Sequence, residues 1–160
     1  MKAILFSSIL TFTIISCQTS DNINSNDLWR NGFTKTQTIK TKEPGEFYIL
    51  ELDSLGKITK LTAYKDSLKD GSQIYFRPNK EIGALINFKK DKREGNVFEF
   101  YPKLIPAFKG FTSNGKFNGQ SSWYYENGQL RETGKRDEDK DVGLWKYFKE
   151  NGEIDTTITK

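Results

Sequence analysis

Few side chains in this 160-residue chain are able to do covalent or metal chemistry: there is one cysteine, Cys17, and no histidine. Histidine-based acid–base catalysis, Cys/His zinc sites and intramolecular disulfides are thereby excluded. What remains is carboxylate and ring chemistry. Glu51 and Glu99 recur at related positions, and a pair of acids is the minimum for glycoside hydrolysis, although a shared spacing builds no cleft by itself. Asp137, Glu138, Asp139 and Asp141 offer oxygen ligands for a hard cation. They lack calcium-loop spacing and alternate with Lys135, Arg136 and Lys140, which reads as a solvated connection. No metal and no cofactor is expected. The aromatic set Tyr75, Tyr101, Trp123, Tyr125, Trp145 and Tyr147 could stack on sugars or anchor a protein partner. Rings at one strand spacing also pack on one another across neighbouring strands, and the repeat described below favours that outcome.

Cys17 has a different context. Met1-Lys2 gives a positive start, and residues 3–15 form an apolar, hydroxyl-rich run that ends at Ser16-Cys17. This is the layout of an export signal, too short to span a bilayer, which takes about 20 apolar residues. Ile14-Ile15-Ser16-Cys17 resembles the lipobox of bacterial lipoproteins. The resemblance implies removal of residues 1–16, acylation of Cys17 as the new N-terminus, a short tether over 17–23, and a place in the cell envelope, periplasmic or exposed on the outer membrane. The membrane is then one partner, reached through the lipid.

The elements that must position the rings follow from a repeat. At a period of 24 residues, Gly71, Gly95, Gly119 and Gly143 fall in one column and Gly32, Gly56, Gly128 and Gly152 in another. Phe76, Phe100, Tyr124 and Phe148 form a third, with Leu28 and Leu52 upstream, and Ile58, Ile82, Leu130 and Ile154 a fourth, interrupted by Pro106. Each unit reads as a hairpin, with an aromatic strand, a turn signal and a second strand. Asn31-Gly32, Asn127-Gly128 and Asn151-Gly152 suit two-residue type I′ turns. Leu55-Gly56 and Asn79-Lys80 are weaker versions, and Lys103-Leu104 between Pro102 and Pro106 predicts an irregular hairpin. The expected fold over residues 24–160 is all-β: an antiparallel meander of about six stacked hairpins.

Alternation assigns two faces. Leu50/Leu52, Ile74/Phe76, Phe98/Phe100, Ser122/Tyr124 and Lys146/Phe148 look like core. The opposite set, including Gln73/Tyr75/Arg77, Val97/Glu99/Tyr101, Ser121/Trp123/Tyr125 and Trp145/Tyr147/Lys149, looks like an aromatic surface with charges. A two-residue turn puts the Ile58 column on that second side, so both faces carry apolar columns and the sheet is expected to curl or to be partly covered.

The segments Gly119 to Leu130 and Gly143 to Ile154, each a glycine, aromatics, then Asn-Gly and an aliphatic residue, resemble the MORN repeat variant, and Gly71 to Ile82 is similar. The resemblance implies an elongated hairpin sheet serving as scaffold or interaction surface. Bacterial arrays of this variant include antitoxin-like proteins of the YwqK type. The formal charge of +4 is spread among interleaved acids and bases rather than gathered on a stripe, so no nucleic-acid partner is expected. The expected function is a lipid-anchored, non-enzymatic envelope module that binds another protein. The alternatives are an immunity protein that neutralises an exported toxin and, from the enzyme class, a carboxylate-dependent envelope hydrolase.

Overall fold

The computed structural model describes residues 35–160; Cys17, the tether and the first turn, Asn31-Gly32, lie outside them. The twelve strands are β1 (Lys35–Lys40), β2 (Glu46–Leu52), β3 (Ile58–Lys65), β4 (Leu68–Phe76), β5 (Ile82–Lys89) and β6 (Lys92–Phe100), then β7 (Pro106–Ser113), β8 (Lys116–Phe117), β9 (Gly119–Tyr124), β10 (Leu130–Asp137), β11 (Lys140–Phe148) and β12 (Ile154–Thr159). They form one open antiparallel sheet in chain order, with the two-residue β8 paired to β7. The hairpins β2–β3, β4–β5, β6–β7, β9–β10 and β11–β12 are five 24-residue units, and β1 is the described part of the one before them. The all-β meander read from the repeat is the observed architecture.

The turns at the Asn-Gly sites are not the expected two-residue type. Tyr125 donates its N–H to the Gln129 carbonyl at 2.8 Å, and Gly128 donates to the Tyr125 carbonyl at 2.9 Å. Gly128 has φ +85°, while Asn127 is not left-handed. This is a three-residue loop, a type I turn closed by a left-handed glycine. Gly56 and Gly152 repeat it, and Lys80, at φ 70°, does the same without glycine. At Lys103 and Leu104 both residues are left-handed within a 3-10 turn, the irregular hairpin that the two prolines predict. The true two-residue turns, with both central residues left-handed, are the connections between units: Asp66-Ser67, Lys90-Asp91, Asn114-Gly115 and Glu138-Asp139.

The longer loop changes which face the Ile58 column occupies. The registers pair Leu52 with Ile58, Phe76 with Ile82, Tyr124 with Leu130 and Phe148 with Ile154, so these columns share the first face, contrary to the two-residue expectation. One extra residue then follows in every second strand, at Thr59, Gly83, Ala107, Arg131 and Asp155. These bulges restore the alternation for the rest of each strand. The other glycine column makes a second bulge: Gly71, Gly95 and Gly143, all at positive φ, stand where the register with the preceding strand shifts.

The assignment of core and surface is also reversed. Gln73 (3% exposed), Val97 (4%), Ser121 (1%) and Trp145 (1%) are buried on the second face, with Thr62, Phe108 and Thr112 beside them. Of the first-face residues only Leu52 is comparably buried. A single sheet hides side chains on one side only if it bends, and repeated bulges bend strands and increase twist. The second face is therefore the inner side of the bend. Hydrophobicity alone misassigned it, because polar residues are buried on the inner face among the apolar ones: the Gln73 amide donates to Thr62 Oγ1 at 2.8 Å.

Candidate functional site

One cross-strand row on the inner face carries most of the candidate residues. Registers place Glu51, Lys60, Tyr75, Ala84, Glu99, Phe108, Trp123, Glu132 and Tyr147 side by side from β2 to β11. Period-2 alternation puts the aromatic set on one face, as expected, but its members have unlike environments. Trp145 is not surface: it lies across Gly134, where a Cβ would come within about 2.2 Å of its indole ring. Trp123 is half-buried, 4.7 Å from Phe108 and 5.9 Å from Trp145 between ring centroids, with the Arg136 guanidinium 4.8 Å from its own. Such offset ring pairs and cation contacts stabilise beyond the area they bury.

Tyr101 and Tyr125 tie one unit to the next. Their hydroxyls donate to the carbonyls of Tyr124 (3.2 Å) and Phe148 (2.8 Å), each 23 residues on. Arg77, at the same repeat position, donates to the Phe100 carbonyl. Tyr75 is the exposed ring at 38%, its hydroxyl bonded to Gln73 and the Lys60 ammonium 5.8 Å from its centroid. Tyr147 is half-buried between Glu132 and Thr156. The set thus divides into a ring stack (Trp123, Trp145), inter-unit ties (Tyr101, Tyr125) and two separate rings. Phe108, 4% exposed and central to the stack, was missed. The available signal was a third glycine column: Gly110 and Gly134 are 24 apart inside strands, where glycine marks a close approach. At Gly110 a Cβ would come within 2.6 Å of the Phe108 ring.

Tyr101 and Trp123 also line a notch of about 350 Å³ together with Arg77, Glu99, Phe108 and Arg131. A recess of about 490 Å³ lies at the β1–β2 connection, lined by residues between Thr38 and Phe47. Three of the four acids at the β10–β11 connection are occupied by protein: Glu138 pairs with Lys116 (3.0 Å), the Asp139 carboxylate accepts the Phe117 N–H (2.7 Å), and Asp141 takes Arg136 (3.1 Å) and Lys160 (2.9 Å). Burial alone would raise the Asp141 carboxyl, but the hydrogen bonds from Lys160 and Arg136, helped by their charges, outweigh it and hold the carboxyl below its ordinary range. Among the described residues no group of acids is arranged to hold a metal ion.

The outer face changes character along the sheet. A register row runs Leu50, Leu61, Ile74, Leu85, Phe98 across β2–β6 and continues Lys109, Ser122, Thr133, Lys146, Thr157 across β7–β12. The five apolar members are half-buried, and no other layer covers them among the described residues. Compared with protein-family models and with curated proteins, the chain matches none.

Proposed function

We propose that this chain is a lipid-anchored, non-enzymatic repeat module of the MORN type that binds another protein of the cell envelope through the apolar half of its outer face. The observation that carries the reading is the row Leu50–Leu61–Ile74–Leu85–Phe98. Five large aliphatic or aromatic side chains in register, flanked on the same face by Phe76, Ile82 and Phe100, form a contiguous patch on a single-layer sheet. Patches of this kind on a folded surface mark interaction sites. Membrane attachment through acylated Cys17 rests on the lipobox and brings the module to its partner.

The two parts of the reading are tested separately. For the anchor, growth with labelled palmitate should mark the wild-type chain and leave Cys17→Ser unlabelled and outside the membrane fraction. For the interface, a photo-crosslinking amino acid is placed at Leu61 or Leu85, and in a control at Ser122. A discrete adduct with one envelope protein is expected from the first two positions and is expected to disappear when Ile74→Lys is added. Equal adducts from Ser122, or none from Leu61 and Leu85, would overturn the interface.

A further inference from the structure

The inner-face notch exists because the repeat is broken at three adjoining positions. The bulge position that carries Thr59 and Arg131 carries Gly83 and Ala107 in the middle units, and the next position, Lys60, Phe108 and Glu132 elsewhere, is Ala84. At Gly83 a Cβ would meet the Arg77 side chain at 3.3 Å, whereas at the positions of Ala84 and Ala107 the neighbouring units hold larger residues in the same register. The missing side chains leave the 350 Å³ notch, small but within the range of ligand sites.

Its walls carry opposite charges that do not neutralise each other. Glu99 is exposed and makes no ion pair among the described residues, and neither does Arg77, whose Nε is buried without a hydrogen-bond partner. Arg131, on the far side, is paired to Glu132 at 2.8 Å. An anion in the notch would face Glu99, and a cation would face two guanidiniums. An uncharged ligand whose groups both donate and accept satisfies all three, and hydroxyls do so. Tyr101 and Trp123 add ring surface suited to an apolar C–H face.

We propose that the notch formed by Gly83, Ala84 and Ala107 is a binding site for a neutral saccharide the size of one or two pyranose rings. Glu99, Arg77 and Arg131 pair with its hydroxyls, and Trp123 and Tyr101 lie against the ring. The site is on the face opposite the apolar row and does not depend on the protein partner.

The test is saturation-transfer NMR on the purified full-length protein with glucose, galactose, mannose, N-acetylglucosamine and their linear dimers. Acetate, inorganic phosphate and trialanine serve as competing probes. At least one neutral sugar should receive saturation on its ring C–H protons. Ala84→Phe fills the notch with the residue that the next unit carries at this position, so it should keep the parent's melting temperature and lose binding by about tenfold or more. Glu99→Gln and Arg131→Gln, both at the surface, should each weaken binding about threefold or more through a lost charged hydrogen bond, and they carry the test if Ala84→Phe does not fold. Absence of saturation transfer to every neutral sugar overturns the proposal. So does binding unchanged in these variants, or displacement of the sugar by acetate, phosphate or trialanine at lower concentration.

Discussion

Strands β2–β6 and strands β7–β12 are built on the same 24-residue frame, yet one register row of the outer face is apolar in the first half and polar in the second. In the first half the outer face carries Leu50, Leu61, Ile74, Leu85 and Phe98, and the inner face holds the hydrogen-bonded pair Thr62–Gln73 next to Ile86 and Val97. In the second half the same outer row is Lys109, Ser122, Thr133, Lys146 and Thr157, and the rings Phe108, Trp123 and Trp145 fill the inner face above Gly110 and Gly134. The frame is set by backbone conformation: left-handed residues at the turns and bulges fix where each strand begins and bends. It leaves open which side is apolar. The half with the inner ring stack carries polar residues in that outer row, and the half without it carries apolar ones there.

If this division holds, the largest single loss of stability should come from the second half. Trp145→Ala removes the most buried large side chain and leaves Gly134 uncovered, and should cost about 3–5 kcal/mol, read as a lowered urea midpoint. Gly134→Val attacks the same contact from below and should cost about 1–3 kcal/mol or more, because the indole must leave its position. The two losses should not add, since both variants lose one packing contact. Additive losses would mean that the indole and the glycine do not depend on each other, and the inner stack would lose its place as the second half's core.

The first half should respond less to packing and more to hydrogen bonding. Thr62→Val keeps the shape and leaves the buried Gln73 amide without its acceptor, so about 1–3 kcal/mol is expected. Pairing it with Gln73→Leu should recover part of that loss, because the stranded donor goes too. A double variant weaker than either single one would show that the pair contributes as shape rather than as a hydrogen bond. Leu85→Lys, on the outer row, should cost under about 1 kcal/mol, since its side chain is already half in water. The same substitution should abolish the crosslinked adduct expected from Leu61, which separates a binding surface from a core.

The contrast between the halves also shows what the chain made legible. The glycine columns gave the period and the meander order, because a left-handed residue is demanded at a fixed point of every hairpin. The faces were harder. An Asn-Gly pair serves a two-residue turn and equally a three-residue loop in which only the glycine is left-handed, and the two differ by one residue of register, enough to move Ile58, Ile82, Leu130 and Ile154 across the sheet. Hydropathy then named the wrong inner face, since Gln73, Thr62 and Ser121 are buried by the bend and Leu50 and Leu61 are not fully covered by anything. Among the candidate rings, spacing grouped Tyr75 with Trp145 although one is 38% and the other 1% exposed. That difference depends on Gly134 beneath the indole. The notch was invisible for a similar reason, since it is made by departures from the repeat, whereas a search for periodicity looks for agreement.

The smallest expected effect concerns charge, and it again distinguishes the halves. Each has an ion pair across a hairpin or connection: Glu46–Lys65 in the first, and Asp141 with Arg136 and Lys160 in the second. The Lys65 ammonium is raised by its hydrogen bond to Glu46, but both partners stand in water, and an exposed pair of this kind is screened to little effect. Asp141 differs, because its two cations also lie against rings, Arg136 at 4.8 Å from Trp123 and Lys160 at 4.9 Å from Trp145. Its carboxyl is held below the ordinary range in the folded chain, so the unfolded chain takes up the proton first on acidification. The contribution is therefore complete above about pH 4 and disappears as the pH falls through the lowered folded value. At the alkaline end the sign is opposite: Lys160, raised chiefly by Asp141 and then by Tyr147, stabilises the fold up to its ordinary value and loses that contribution as the pH rises through the higher folded one. Asp141→Asn should then lose less stability than the parent between neutral pH and about pH 3, with the difference read in tryptophan fluorescence from Trp123 and Trp145. A parent and an Asp141→Asn variant that lose equal stability over that range would reduce the cluster to an ordinary surface pair and confine the difference between the halves to packing.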